Sequence, residues 1–316
     1  MNIQILGGLS LENFAGENPA NQNAIQIQKE LYDSGQTAGV QLRVGHDFTN
    51  QGSIETLKQR VLNLGIPFII HGAAENLGVD LGKCLDERGI FSQYKEQNPE
   101  KNWEDFNLDA LKNAKKIAED NPDLLDKRII IHPGYALRNR IKEGELKVAN
   151  ILRRLEDIDF SLETVPETAI LEGNQEKQFF GLGSNIYSMQ TLLSSREGLD
   201  VLIDFTHVLV SANQKGPSNS GYFSELISEF LELPISNFTH FSGLTRRLED
   251  EHKGFLGDNE AAGNDLGKGI VKDALTELGR RYSAKGKDVY VALEMRFEDL
   301  ESTKRQINAF REQYCR

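Results

Sequence analysis

The sequence predicts an α/β fold, a (β/α)8 barrel formed by one domain over residues 1–316, and three observations lead there. Short runs rich in Ile, Val, Leu and Phe alternate with longer amphipathic stretches, a cycle repeated about eight times. The short runs are apolar through most of their length, as strands covered on both faces of a parallel sheet must be. A chain of 316 residues without an internal repeat or a Pro- or Ser-rich linker suits a single closed barrel. A doubly wound open sheet is the rival architecture.

The elements follow in order. The first strand is Asn2–Leu6, and Gly7-Gly8-Leu9-Ser10 after it reads only as a turn, not as the G-x-G-x-x-G of a dinucleotide site. The other strands are Gly39–Val44, Pro67–His71, Arg128–His132, Phe160–Glu163, Val201–Phe205, Asn237–Phe241 and Val289–Glu294. Helical periodicity falls on Asn21–Tyr32, Ile54–Leu64, Leu108–Glu119, Glu145–Arg154, Ile186–Leu193, Tyr222–Leu231, Gly269–Arg281 and Leu300–Tyr314. Two connections are long, Gly72–Asp105 after the third strand and Pro166–Ser184 after the fifth, and both should lie over the same barrel mouth.

Composition narrows the class. The 36 Lys and Arg against 48 Asp and Glu give a formal charge of −12, and 39% hydrophobic with 27% charged residues is ordinary for a globular chain. The apolar runs Ile66–Ile70 and Ile129–Ile131 are far shorter than the roughly 20 residues that span a bilayer, and Met1–Ser10 has no export character. With only Cys84 and Cys315, a disulfide framework is implausible, so a reducing, cytoplasmic setting is expected.

Polar residues at the strand ends carry the chemistry. Of six histidines, His71, His132, His207 and His240 stand at or just beyond strand ends, and Glu163, Asp204 and Glu294 occupy matching places. A closed parallel barrel brings those ends to one mouth. Several carboxylates crowded together in a partly dry cavity repel one another unless protons, cationic side chains or metal ions compensate. The ends of the strands that carry these groups hold no Lys or Arg, which leaves metal as the simplest answer. Mixed imidazole and carboxylate suits zinc, with manganese or iron as alternatives, and the set is too large for one tetrahedral shell. His46, Trp103 and Tyr135 read as packing or loop residues.

These residues and motifs resemble the endonuclease IV family of AP endonucleases, within the xylose-isomerase-like barrels. His71 after Phe68-Ile69-Ile70, His132-Pro133-Gly134, Glu163 in Leu-Glu-Thr, Asp204-Phe205-Thr206-His207, His240 in His-Phe-Ser-Gly, and Glu294 fall in the family's order. The resemblance implies DNA repair by hydrolysis of phosphodiesters at abasic sites, with three zinc ions. Glu163 would bridge two of them, His71 and His132 completing the first and Asp204, His240 and Glu294 the second. His207 would bind the third with Asp250 and His252, for which Asp258 and Glu260 compete. A water activated between metals would attack phosphorus, with Glu163 holding the bridge and Glu294 orienting the nucleophile. The expected partner is DNA containing abasic sites, with no membrane, the protein acting as a monomer.

The resemblance leaves rivals. Glu163, Asp204, His240 and Glu294 equally make the single-metal set of sugar isomerases and epimerases on this barrel, where two glutamates move a proton beside a carbonyl; His71, His132 and His252 favour the hydrolase. A barrel that only binds a ligand is a third reading. Gly72-Ala73-Ala74-Glu75-Asn76 offers no aromatic wedge for DNA, and the acidic total opposes polyanion binding. Arg138, Arg140, Lys142, Lys215, Arg246 and Arg247 could still form a local basic rim.

Overall fold

The computed structural model describes residues 3–10, 14, 19–44, 54–72, 96, 98–170, 178–214, 220–242, 262–294 and 299–315. Eight strands close into a parallel barrel: β1 (Ile3–Ser10), β2 (Gly39–Val44), β3 (Phe68–Gly72), β4 (Leu124–Ile131), β6 (Phe160–Glu163), β9 (Asp200–Asp204), β10 (Ile235–Phe241) and β11 (Val289–Leu293), with β1 pairing both β2 and β11. Around them lie α1 (Pro19–Asp33), α2 (Ile54–Leu62), α3 (Trp103–Ala118), α4 (Ile141–Arg154), α5 (Ile186–Leu193), α6 (Phe205–Gln214), α7 (Ser220–Leu231), α8 (Ala262–Ser283) and α9 (Leu300–Tyr314). Among the described residues, no helix is long and apolar enough to cross a membrane.

Two-residue periodicity divides the strands between two cores. Outward residues such as Ile70, Ile129, Leu162, Ile203, Val291 and Leu293 pack under the helices in one large cluster. Inward, Leu6, Ile69, Ile130, Leu202, Phe238 and Ala292 form a separate apolar layer that plugs the barrel. Two residues before Ile130 and Leu202 lies a polar layer in which Arg128 pairs with Asp200, and Ser161 of the neighbouring β6 donates its Oγ–H to Asp200 Oδ1 at 2.5 Å. Two residues after the plug, the same faces carry the strand-end histidines and acids.

Three local features depart from the sequence reading. Gly7-Gly8-Leu9-Ser10 is not a turn: β1 runs through it to Ser10. Glycine is needed there because Gln28 of α1 presses on the strand, so that a Cβ on Gly7 would stand 1.8 Å from Gln28 Oε1. The strand expected to reach Phe205 stops at Asp204, and Phe205 opens α6, a helix whose buried run from Phe205 to Ala212 shows no amphipathic period. The third feature is a small antiparallel sheet over the mouth. In it β5 (Tyr135–Leu137) and β7 (Thr168–Ile170) flank β8 (Gln178–Gly181), joining the connections after β4 and β6. Tyr135 is therefore a strand residue, and Gly134, at φ 88°, makes the turn into it. Trp103 begins α3 and packs on Phe106, with ring centroids 5.0 Å apart.

Candidate metal centre

Alternation places the site. His71, Asp204, His240 and Glu294 each follow an inward plug residue by two positions, on the same face of its strand, and His132 follows Ile130 in the same way. Glu163, the last residue of β6, joins them from above Ser161. The barrel thus converts a local pattern of strand, apolar plug and polar end into a ring of groups from separate parts of the chain.

Glu163 is the hub and is wholly buried. Its Oε2 lies 2.9 Å from His71 Nε2 and 3.0 Å from His132 Nε2; its Oε1 lies 3.0 Å from His240 Nδ1 and 3.5 Å from His207 Nδ1. His240 Nδ1 also stands 3.4 Å from Glu294 Oε1. Several of these contacts are close but badly aimed for hydrogen bonding. Glu163 Oε1, His132 Nε2, both nitrogens of His240 and His71 Nδ1 are buried without a hydrogen-bond partner. Donors about 2.0 to 2.1 Å from a tetrahedral zinc stand about 3.3 Å from one another, so the spacings and the orphaned atoms both fit ions shared among these groups. Three ligand groups have atoms mutually within 4.8 Å: His71, His132 and Glu163; His71, His240 and Glu294; and Glu163, Asp204, His240 and Glu294.

The electrostatics agree. Burial alone would raise the Glu163 carboxyl, but the imidazoles of His132 and His240 outweigh it and hold the group well below the usual carboxylate range. Burial pulls His71 down to about 4, overriding its bond to Glu163. Burial pushes Asp204 up to about 6, with the charges of Glu163 and Glu294 adding to the effect against the pull of His207. His240 rises to about 9, its burial outweighed by Glu163 and Glu294. Without metal, protons on this cluster do part of the work that cations would do.

His207 sits apart from the three ligand groups. Asp204 Oδ1 accepts from the backbone N–H of Thr206 at 2.6 Å and of His207 at 3.0 Å, capping α6 and turning His207 back toward the mouth. Its Nδ1 is 2.8 Å from the Thr164 carbonyl. That contact needs Nδ1 as the donor, which leaves Nε2 as the nitrogen able to bind metal. Asp250, His252, Asp258 and Glu260 lie outside the described residues, as do His46, Lys215, Arg246, Arg247 and residues 73–76.

Among the described residues expected in the basic rim, Arg140 and Arg138 have partners of their own. Arg140 forks onto Glu143, with Nε to Oε2 at 2.7 Å and Nη2 to Oε1 at 2.5 Å, so its charge is largely matched. Arg138 lies over the Phe180 ring, 5.8 Å from its centroid. Sequence reasoning passed over two residues of β2: Gln41, whose Nε2 donates to Glu294 Oε1 at 3.1 Å, and exposed Arg43, in register with His71. Both stand at inward positions of a strand end, a signal that was available but was searched only for histidines and acids.

No protein-family model and no curated protein sequence matches this chain. Solved structures do. Endonuclease IV from Thermus thermophilus superposes with a TM-score of 0.56 at 14% identity, covering 98% of both chains. The 3-keto-D-glucoside 4-epimerase from E. coli gives 0.53 at 14% identity and a xylose isomerase domain protein from Alicyclobacillus acidocaldarius 0.51 at 12%, each again over 98% of both chains. At such identities the likeness is one of fold alone: a closed barrel of eight parallel strands covered by helices.

Proposed function

We propose that the protein is a zinc-dependent phosphodiesterase that cleaves DNA at abasic sites, with a trinuclear centre in the barrel mouth. One observation carries the reading: Glu163 faces His71 and His132 with one oxygen and His240 with the other. A carboxylate so placed serves two ions, and a one-ion enzyme has no use for the His71 and His132 pair. In this reading His71, His132 and Glu163 hold the first ion and Glu163, Asp204, His240 and Glu294 the second. The third falls to His207 with Asp250 and His252, or with Asp258 and Glu260.

Bound zinc supplies Lewis acidity, which brings the ionisation of a water near neutral pH and offsets charge on phosphate oxygens. The protein's own groups set the geometry. Glu163, immobile in the core, fixes the spacing of the two ion sites, and Thr164 holds the His207 ring in one orientation. Glu294, 19% exposed at its side chain, is the carboxylate best placed to orient an attacking water. Arg138 and Lys142 are the rim cations offered to the DNA backbone, and the setting is cytoplasmic.

A second reading has its own support, because Glu163, Asp204, His240 and Glu294 form one ligand group by themselves. In a sugar isomerase or epimerase they would hold one ion while Glu163 and Glu294 moved a proton beside a ketose carbonyl. Metal analysis with activity assays decides. About three zinc ions per chain and cleavage of an abasic-site duplex support the nuclease; one manganese or magnesium with ketose turnover supports the isomerase. Neither metal nor turnover would leave a binding barrel.

A further inference from the structure

Among the lumen groups at the level of the metal centre, Gln41 is an uncharged side chain held in a fixed orientation. It is 8% exposed, its Nε2 donates to Glu294 Oε1 at 3.1 Å, and its own Oε1 is buried without a partner. Strand register explains how it reaches Glu294. Gly8 of β1 pairs with Gln41 of β2. On the other side of β1, Leu6 pairs with Ala292, so continuing that register by two residues sets Gly8 beside Glu294. Gln41 and Glu294 are thus two strands apart, about 9.6 Å at the usual strand spacing of about 4.8 Å. Side chains of intervening strands normally fill such a gap. Here the intervening inward position is glycine, and the lane across β1 stays open for the two side chains to meet.

We propose that Gln41 is a positioning residue for the metal centre: reaching across Gly8, it holds the Glu294 carboxylate turned toward the ligand group of Glu163, Asp204 and His240. The inference rests on the metal-centre reading above. The amide N–H donates to one carboxylate oxygen from a fixed direction, so it restrains the rotation of the group. By tying up one lone-pair direction of Oε1, it also fixes which part of the carboxylate faces an ion. Glu294 lies just past the end of β11, beyond the strand's own ladder, with its side chain 19% exposed. His71 and His132 lie against Glu163 Oε2, whereas Gln41 donates to Glu294. The effect is therefore local to the second ion site.

The test uses the full chain loaded with zinc or cobalt(II), with ion affinities read by chelator competition and cobalt absorption. Gln41→Met keeps the shape of the side chain but removes the donor. The expected result is a loss of about 10- to 100-fold in affinity for one ion, with a changed cobalt spectrum, while the ion held by His71 and His132 keeps its affinity. Gly8→Val, which keeps both partners but fills the lane, should weaken the same ion, and the double variant should be little worse than either single one. Equal weakening of every ion, or unchanged affinities and spectrum in Gln41→Met, would overturn the positioning role. A wild-type protein that binds no metal at all would instead sink the metal-centre reading, and this inference with it. Circular dichroism of each variant separates misfolding from loss of positioning; if Gly8→Val fails to fold, Gln41→Met alone decides.

Discussion

Replacing Glu163 by Gln keeps the shape of the hub and deletes its charge. The carboxylate stands 3.0 Å from His240 Nδ1 with both groups wholly buried. At an effective dielectric of about 20, a unit pair at that distance is worth about 5 kcal/mol, equivalent to about 4 pH units on the imidazole. Glu294, 3.4 Å away, remains to support the charged ring. In metal-free Glu163→Gln, the His240 pKa should therefore fall from about 9 to near or below its ordinary value. Histidine side-chain NMR across a pH titration reads this directly. With metal the consequence is larger, because an amide cannot serve as an anionic bridge. Both the His71 and His132 ion and the Asp204 and His240 ion should weaken, each by more than the roughly 10- to 100-fold that loss of an outer-shell partner costs. Turnover should vanish with the fold intact. The bridging argument fails if Glu163→Gln retains both ions at wild-type affinity, if only one ion weakens, or if His240 still titrates near 9.

Other expectations follow from the same geometry. The raised pKa of His240 favours the metal-free fold below its unfolded value of 6.5, a contribution lost as pH climbs to about 9. Metal binding runs the other way: ions need His240 neutral and Asp204 ionised, so affinity should rise about tenfold per pH unit between 6 and 9, and more steeply below 6. Chelator competition at several pH values checks this, and a flat profile would refute it. At the opposite end of the barrel, Asp200→Ala would strip Arg128 and Ser161 of their buried partner. A loss of about 3 kcal/mol in denaturant unfolding, with metal content unchanged, is expected there. For the third ion, His207→Ala and His252→Ala should each lower zinc content by one if Asp250 and His252 complete the site; Asp258→Ala doing so instead would reassign it. On an abasic duplex, Arg138→Ala should flatten the salt dependence of binding by about one unit of slope, and Arg140→Ala by less, because Glu143 already matches Arg140.

Much of this was legible in the chain because a parallel barrel couples sequence to position so tightly. β2 and β6 have the bounds expected for them, as do the helices Ile186–Leu193 and Leu300–Tyr314, since their apolar runs and caps are unambiguous. The order His71, His132, Glu163, Asp204, His240 and Glu294 predicted one cluster, and these six do meet. What escaped had weak local signals. α6 is buried on every side from Phe205 to Ala212, polar Thr206, His207 and Ser211 included, between β9, β10 and α7, so no apolar stripe marks it. The three-residue strands β5 and β7 depend on pairing with distant β8, a non-local choice that no short window shows. Gly7 and Gly8 read as a turn because glycine's usual role is conformational, whereas at Gly7 it is the missing side chain that matters, since it makes room for Gln28.

The number of ions also decides what charge the mouth presents, and this links metal content to substrate class. Glu163, Asp204 and Glu294 bring three negative charges when fully ionised. One divalent ion leaves the centre net negative, hospitable to a neutral polyol and hostile to a phosphodiester. A second ion, which His71 and His132 would hold with the Glu163 carboxylate already counted, reverses the sign without adding a carboxylate. That addition turns an anion-repelling mouth into an anion-binding one, in a low-dielectric setting where the change counts most. The two histidines on β3 and β4 are therefore the residues on which the choice between sugar and nucleic acid turns. Replacing both by Gln should lower the zinc content by one ion and abolish binding to abasic DNA, measurable by metal analysis and duplex titration together. Retained DNA affinity in that double variant would show that the basic rim, and not the second ion, sets the preference for phosphate.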